Sequence, residues 1–225
     1  MWAIDAACAQ ALPWTGRYPA AAGIFEVRPR RLPCDALPVY DDELGCVIGY
    51  LRAHARRGQL MNLDGDVIAV WACHAFLPEP DMRDAVLVVG GLWTSRVRGM
   101  TPLDVIGSGA PVPPDAVGTL RQHFMALSQE PLFYTEPALA RMQDRVHFVP
   151  VHILRLALRH GERLPPPAGL AGVARYSSLM WLRQVPHVLD VVTSADGLTV
   201  LRFEYWHYAG DCALLDPAAP TDPAT

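Results

Sequence analysis

Asp64 and Gly65 lie between two mainly apolar segments, 60–63 and 67–71. This pattern is typical of a tight β-hairpin. An Asp-Gly pair supplies the positive φ angle that the favoured two-residue hairpin turns require. Other short β segments, each bounded by turn residues, are expected at 24–28, 46–52 and 86–94. The first half of the chain is therefore predicted to be an antiparallel β meander.

In the second half the pattern becomes helical. Apolar residues recur with the spacing of an amphipathic helix at Val117, Leu120, Phe124 and Leu127. Two shorter helices are predicted at 135–144, with Thr135 as the N-cap, and at 151–160, with Gly161 as a left-handed C-cap. The pattern then returns to β segments, which are expected at 173–182, 188–193 and 198–208, with a turn at 195–197.

These elements predict an α+β protein. An N-terminal antiparallel β-rich meander is followed by two or three short helices packed on a C-terminal three- to four-stranded antiparallel sheet. Residues 107–114 are rich in glycine and proline, which favours a linker at that point. The predicted organisation is a β-rich region at 1–106, the linker at 107–114, a helix-plus-sheet domain at 115–215 and a frayed tail at 216–225.

Composition excludes several classes of protein. The 19 basic residues are all arginine and face 23 acidic ones, so a formal net charge of −4 argues against a protein that coats nucleic acid over its whole surface. No apolar run approaches the roughly 18 residues that a membrane-spanning helix needs, so no membrane partner is expected. The five cysteines lack the spacing of a zinc site, and neither a metal nor another cofactor is expected.

The N-terminal segment, Met1 to Leu12, has no basic region and carries Asp5 within its apolar stretch. These features are atypical of a secretory signal peptide, so a cytoplasmic location is expected. Export by a route that needs no cleaved signal peptide stays open.

Positive charge is concentrated between residues 141 and 187, where seven arginines face only Asp144 and Glu162. In the helix predicted at 151–160, three basic residues are spaced so that they share one face, along which a phosphate backbone could lie. The residues expected to bind RNA are Arg141, His152, Arg155, Arg159, Tyr176 and Ser178. An ordinary solvated helix face is the alternative explanation.

Metal-independent cleavage of RNA requires a general base for the 2′-hydroxyl, a general acid for the leaving 5′-oxygen and cations that stabilise the phosphorane. Histidine and arginine have the side chains that suit these tasks. The candidate catalytic residues are His147, Arg145, Arg175 and His207. If they form one site, they must converge around one anion-sized hollow.

The order of elements in the second half carries a resemblance to a known group. It consists of 133–142, a short loop with Arg145, the helix start at 149–154, Gly161 and three strands ending at 203–205. This arrangement resembles the C-terminal toxin domains of bacterial polymorphic toxins, in the BECR-like group of colicin-D-like and EndoU-like ribonucleases. The resemblance covers roughly a third of the chain and implies a metal-independent, RNA-cleaving effector of bacterial competition that a cognate immunity protein neutralises.

A second hypothesis comes from another class of protein. A local cationic stretch at 141–187 within an acidic protein also suits a non-catalytic binding module, such as an immunity or adaptor protein that engages a protein partner. The sequence has no tight catalytic motif that would decide between the two. Its oligomeric state is not predicted.

Overall fold

The computed structural model describes residues 12–14, 25–41, 44–54, 57–72, 85–89, 101–102, 114–167, 170, 172–183 and 185–210. Within them the chain forms two sheets and three helices, and a single cluster of buried apolar side chains includes residues from both halves. The predicted α+β class is confirmed.

The first sheet is built from the N-terminal half. Its strands are β3 (Leu37–Asp41), β4 (Cys46–His54), β5 (Arg57–Met61), β6 (Val67–Ala72), β7 (Ala85–Val89) and β8 (Thr101–Pro102), after β1 (Leu12–Pro13) and β2 (Phe25–Val27) in the chain. Strands β3 to β6 form the predicted antiparallel meander, and β7 adds to it in parallel with β3. The predicted hairpin joins β5 to β6, and Gly65 has a φ of +80°.

The second half supplies all three helices and most of the second sheet. Its elements are α1 (Pro114–Gln129), β9 (Phe133–Tyr134), α2 (Glu136–Gln143), α3 (Val151–His160), β10 (Glu162–Leu164), β11 (Val173–Leu182), β12 (Val185–Ser194) and β13 (Thr199–His207). Strands β11, β12 and β13 are the antiparallel centre of this sheet, as predicted. Strand β10 extends one side of it, and β9 extends the other in parallel with β13.

Two strands from the N-terminal half also join this second sheet. Strand β1 pairs with β9, and β2 pairs with the end of β11 rather than with the meander in which it was expected. Phe25 and Val27 of β2 are buried, so this pairing places two apolar side chains in the core. The predicted boundary at 107–114 stays a prediction, because 107–113 lie outside the described residues, as do 1–11 and the tail at 216–225.

Helix α1 packs against both halves of the protein. On one side, Leu120 reaches Gly49 of β4, where a Cβ atom would lie 2.5 Å from the Met61 carbonyl oxygen and 2.6 Å from Leu120 Cδ2. On the other side, the rings of Phe124 and His152 of α3 are 4.8 Å apart. The helices were expected to pack on the C-terminal sheet, and α1 also packs on strands of the N-terminal one.

Gly49 provides the first prediction. Gly49→Ala is expected to lower the free energy of unfolding by about 1–3 kcal/mol, because the added methyl overlaps a backbone oxygen that cannot move without shifting β5. Urea unfolding measures the change. Gly118→Ala in α1 is the control, since nothing lies within 4 Å of its added Cβ; an equal loss of stability in both variants would contradict the proposed close approach.

Thr135 is the N-cap residue of α2 as predicted, whereas the predicted left-handed conformation of Gly161 at the end of α3 is wrong. The Thr135 hydroxyl makes no cap bond to α2 and instead donates to the Leu201 carbonyl at 2.9 Å, which ties the start of the helix to β13. Gly161 is not left-handed, with a φ of −67°. It is required for another reason, because a Cβ there would lie 2.3 Å from the Ala157 carbonyl oxygen and 2.5 Å from Ser178 Oγ.

Candidate functional site

The two faces of the second sheet separate the predicted catalytic residues. Arg175 pairs with Val192, whereas His207 pairs with His187, five positions away along β12. At the strand rise of about 3.3 Å per residue the two pairs are about 17 Å apart. Their side chains also point to opposite faces, because His187 and Val192 are an odd number of positions apart on one strand. Arg175 and His207 therefore do not belong to one site.

Arg175 has a local partner. Its Nε donates to Asp190 Oδ1 at 2.8 Å, and Asp190 has a side-chain exposure of only 4%. The hydrogen bond and charge of Asp190 raise the pKa of Arg175. Arg202 lies 3.9 Å from the same carboxylate. Arg175 is thus placed to neutralise a buried acid on the face opposite His207.

The helix face expected to bind RNA is largely internal. His152 has an exposure of 6% and Arg155 of 7%, and burial lowers the pKa of His152 to about 3. The Arg155 Nε lies 3.7 Å from Glu130. Because α3 packs between α1 and the sheet, its basic residues do not form the expected solvent-facing stripe.

Ser178 and Tyr176 lie on the face of the sheet that carries α3. The buried Ser178 hydroxyl donates to the Ala157 carbonyl at 3.3 Å, so it fastens the strand to the helix. Tyr176 is half-buried at the position paired with Val191. These contacts connect α3 to the sheet.

Arg159 belongs to a group of side chains between the two halves, here named the Asp64 cluster: Asp64, His123, Arg159 and His160. The Asp64 carboxylate accepts from His160 Nε2 at 2.7 Å and from Arg159 Nη1 at 3.0 Å, and His123 Nε2 lies 3.1 Å away. Contacts with His123 and then His160 hold the pKa of Asp64 well below its ordinary value, against the opposing effect of burial. The hairpin turn that carries Asp64 is thereby joined to α1 and α3.

A second ion pair follows the same pattern. Asp41 at the end of β3 is fully buried and accepts from Arg121 Nε of α1 at 2.6 Å. In both contacts the N-terminal half supplies the carboxylate and the C-terminal half supplies the cation. Part of the positive charge of the C-terminal half is therefore neutralised within the molecule by carboxylates of the N-terminal half.

The remaining candidates lie at one end of the second sheet, on the face that carries α3. Together with His187 and Tyr205, three of them form what we name the Tyr205 cluster: Arg141, His147, His187, Tyr205 and His207. The Tyr205 hydroxyl donates to the Val146 carbonyl at 2.5 Å, and its ring lies 5.7 Å from that of His187. The rings of His187 and His207 are also 5.7 Å apart. Tyr205 thus joins the strand histidines to the loop of His147.

Hydrogen bonds define which ring nitrogen is available on two of these histidines. His147 Nδ1 donates to Asp144 Oδ2 at 2.5 Å, and His187 Nδ1 donates to the Val185 carbonyl at 2.8 Å. A carboxylate and a carbonyl can only accept, so each neutral ring carries its lone pair on Nε2. The bond to His147 lowers the pKa of Asp144. Nε2 is therefore the ring atom that presents a lone pair on each of these histidines.

Positive charge surrounds the Tyr205 hydroxyl. Burial raises the pKa of Tyr205, while the charges of Arg141 and Arg183 oppose that rise and Asp144 adds to it. The Arg141 Nε is buried and has no hydrogen-bond partner among the described residues. Arg145 is exposed in the same loop as His147.

Three of the four predicted catalytic residues, Arg145, His147 and His207, therefore lie at one end of the molecule. His187 and Tyr205 complete the cluster, and His187 was not among the predicted catalytic residues. Pairing the two strands residue by residue outward from the turn at 195–197 would have placed His187 opposite a residue near 206. That register is the sequence signal that could have identified His187 as a neighbour of His207.

Comparison of the chain with protein-family models, with curated proteins and with solved structures finds no match. No group of three or more His, Cys, Asp or Glu side chains in the described ranges is arranged to hold a metal ion. No helix in the part of the chain that the structure describes has the length and apolar character needed to cross a bilayer.

Proposed function

We propose that the protein is a metal-independent ribonuclease, an effector of bacterial competition whose active site is the Tyr205 cluster. The observation that carries the proposal is the tautomer pair: His147 and His187 both have Nδ1 bound by an acceptor and Nε2 available. General acid–base cleavage of RNA requires one group that accepts a proton and one that donates it, and imidazole nitrogens suit both roles.

The reaction proceeds by attack of the RNA 2′-oxygen on the adjacent phosphorus, with cleavage of the bond from phosphorus to the 5′-oxygen. One imidazole, neutral, accepts the 2′-hydroxyl proton, and the other, protonated, donates a proton to the leaving oxygen. Arg141 and Arg145 supply positive charge for the phosphorane. The products are a 2′,3′-cyclic phosphate and a 5′-hydroxyl end.

The Asp144–His147 pair supports this assignment. A carboxylate that accepts from Nδ1 holds the ring in one orientation and stabilises its protonated form. Both partners are about half exposed, so a substrate can reach Nε2. Arg175, on the opposite face and paired with Asp190, has no part in this reaction.

The test is incubation of the purified protein with total RNA in EDTA. Discrete fragments ending in cyclic phosphate are expected. Intact RNA would favour the second hypothesis, a non-catalytic immunity or adaptor protein. That hypothesis depends on charged groups that a protein partner could bind, and the ion pairs of Asp41 and Asp64 already neutralise several of them within the molecule. A cognate immunity protein is the partner we propose for the effector.

A further inference from the structure

Arg183 has an unusual backbone conformation. It lies in the turn between β11 and β12, where Leu182 pairs with Val185, and its φ is +53°. The other described residues with positive φ are all glycines: Gly45, Gly65, Gly172 and Gly197. A left-handed φ is unfavourable for a residue with a Cβ atom, and two-residue hairpin turns strongly prefer glycine, asparagine or aspartate.

The turn lies beside the Tyr205 cluster. Val185, which ends the turn, provides the carbonyl that binds His187 Nδ1. The His187 ring in turn contacts Tyr205 and His207. Arg183 is exposed, and its positive charge acts to lower the pKa of the nearby Tyr205 hydroxyl. An unfavourable backbone conformation is thus combined with a guanidinium at the edge of the proposed active site.

Arg202, another exposed arginine of this sheet, differs in both respects. Arg202 lies within β13 on the opposite face, near Asp190, and has no positive φ. A turn that needed only to connect the strands would be better served by glycine or asparagine. Arginine at this position is explained if its side chain has a function that outweighs the cost of the unfavourable backbone conformation.

We propose that Arg183 is an RNA-binding residue that contacts a phosphate adjoining the one that is cleaved. This inference rests on the proposed ribonuclease function and adds the group that positions the strand. A guanidinium presents several donors in one plane and therefore suits a phosphate oxygen pair. Placed on a hairpin tip, it reaches beyond the sheet toward the substrate backbone.

Arg183→Gly tests the inference because stability and binding should change in opposite directions. Relief of the left-handed arginine is expected to raise Tm by about 2–4 °C. Loss of one phosphate contact should raise KM for RNA by about tenfold with little change in kcat, since the contact is made equally in the ground and transition states.

Salt dependence separates a phosphate contact from a structural effect. Binding of a single-stranded RNA oligonucleotide is measured in the His147→Ala background, in which cleavage is expected to be slow enough for binding to reach equilibrium. The slope of log K against log salt should fall by about 0.7 in Arg183→Gly. Arg183→Lys should retain the slope, and Arg202→Asn, which removes the same charge from the opposite face, should leave it unchanged.

The outcomes are distinct. Cleavage by the wild-type protein with an unchanged KM and salt slope in Arg183→Gly overturns the role of Arg183 and leaves the ribonuclease function standing. An equal fall in slope for Arg202→Asn also overturns it, because the effect would then be one of overall charge. Failure of the wild-type protein both to cleave and to bind RNA overturns the proposed function and this inference together.

Discussion

His147→Ala is expected to lower the rate of RNA cleavage by about 10²–10⁴-fold, the range typical of removing one general acid or base. The imidazole is oriented by Asp144 through Nδ1, and alanine leaves no group that can transfer a proton at the same position. The measurement is kcat/KM on an RNA oligonucleotide in EDTA, with unfolding by urea as a check that the fold is retained. His147 is about half exposed, so little loss of stability is expected.

Two further variants sharpen this prediction. His187→Ala should reduce cleavage to a similar extent, because its Nε2 is the second proton-transfer atom. Arg202→Ala, on the opposite face of the sheet, should retain wild-type activity. Wild-type rates in both histidine variants would contradict the assignment of the active site, even if the protein cleaves RNA.

Asp64→Ala is expected to lower the free energy of unfolding by about 2–3 kcal/mol, measured by urea unfolding at pH 7. The carboxylate is 12% exposed and contacts His123, Arg159 and His160. Its removal leaves three basic side chains close together without their shared acceptor. The value lies below that of a fully buried ion pair because Arg159 is 42% exposed and also contacts Glu130.

Asp66→Asn is the matched control. Asp66 lies two residues away in the same turn and pairs with Arg31 at 2.8 Å, but both side chains are 54% exposed. An exposed pair contributes only about 0–1 kcal/mol. Similar losses in the two variants would show that the turn itself, and not the contacts of Asp64 with α1 and α3, determines the result.

The stabilisation by Asp64 should depend on pH. Its pKa in the folded protein is well below the ordinary value, because His123 and His160 stabilise the carboxylate. The contribution is therefore complete above the unfolded pKa of about 4 and decreases as the pH falls below it. The difference in unfolding free energy between the wild type and Asp64→Asn is expected to shrink between pH 5 and pH 3. A constant difference across that range would contradict the prediction.

The main elements of the fold could be predicted because their signals are local. Gly65 and Gly197 have the positive φ angles that their turns suggested, and the spacing of Leu120, Phe124 and Leu127 corresponds to α1. The reasons for Gly161 and Thr135 could not be predicted. The Thr135 hydroxyl donates to Leu201, and a Cβ atom on Gly161 would overlap Ser178 as well as Ala157, so both positions depend on strands outside their own helices.

The candidate site was less predictable because side chains alternate between the two faces of a strand. A single inserted residue therefore moves every following side chain to the other face. Thr193 pairs with Val200, but Val192 pairs with Arg202, so Leu201 is an extra residue that shifts the register. Without this bulge, His187 would face Trp206 instead of His207. The bulge therefore places His207 and Tyr205 on the face that carries His187.

The sequence by itself determined the α+β class, the meander, the three helices and the concentration of basic residues between 141 and 187. These follow from periodicity, turn residues and composition, which act over a few neighbouring positions. Only the tertiary structure decided which cations are bound by Asp64, Asp41 and Asp190, and which remain at the surface beside Tyr205. Burial and ion pairing depend on the packing of one element against another, and that packing brings together residues that are far apart in the chain.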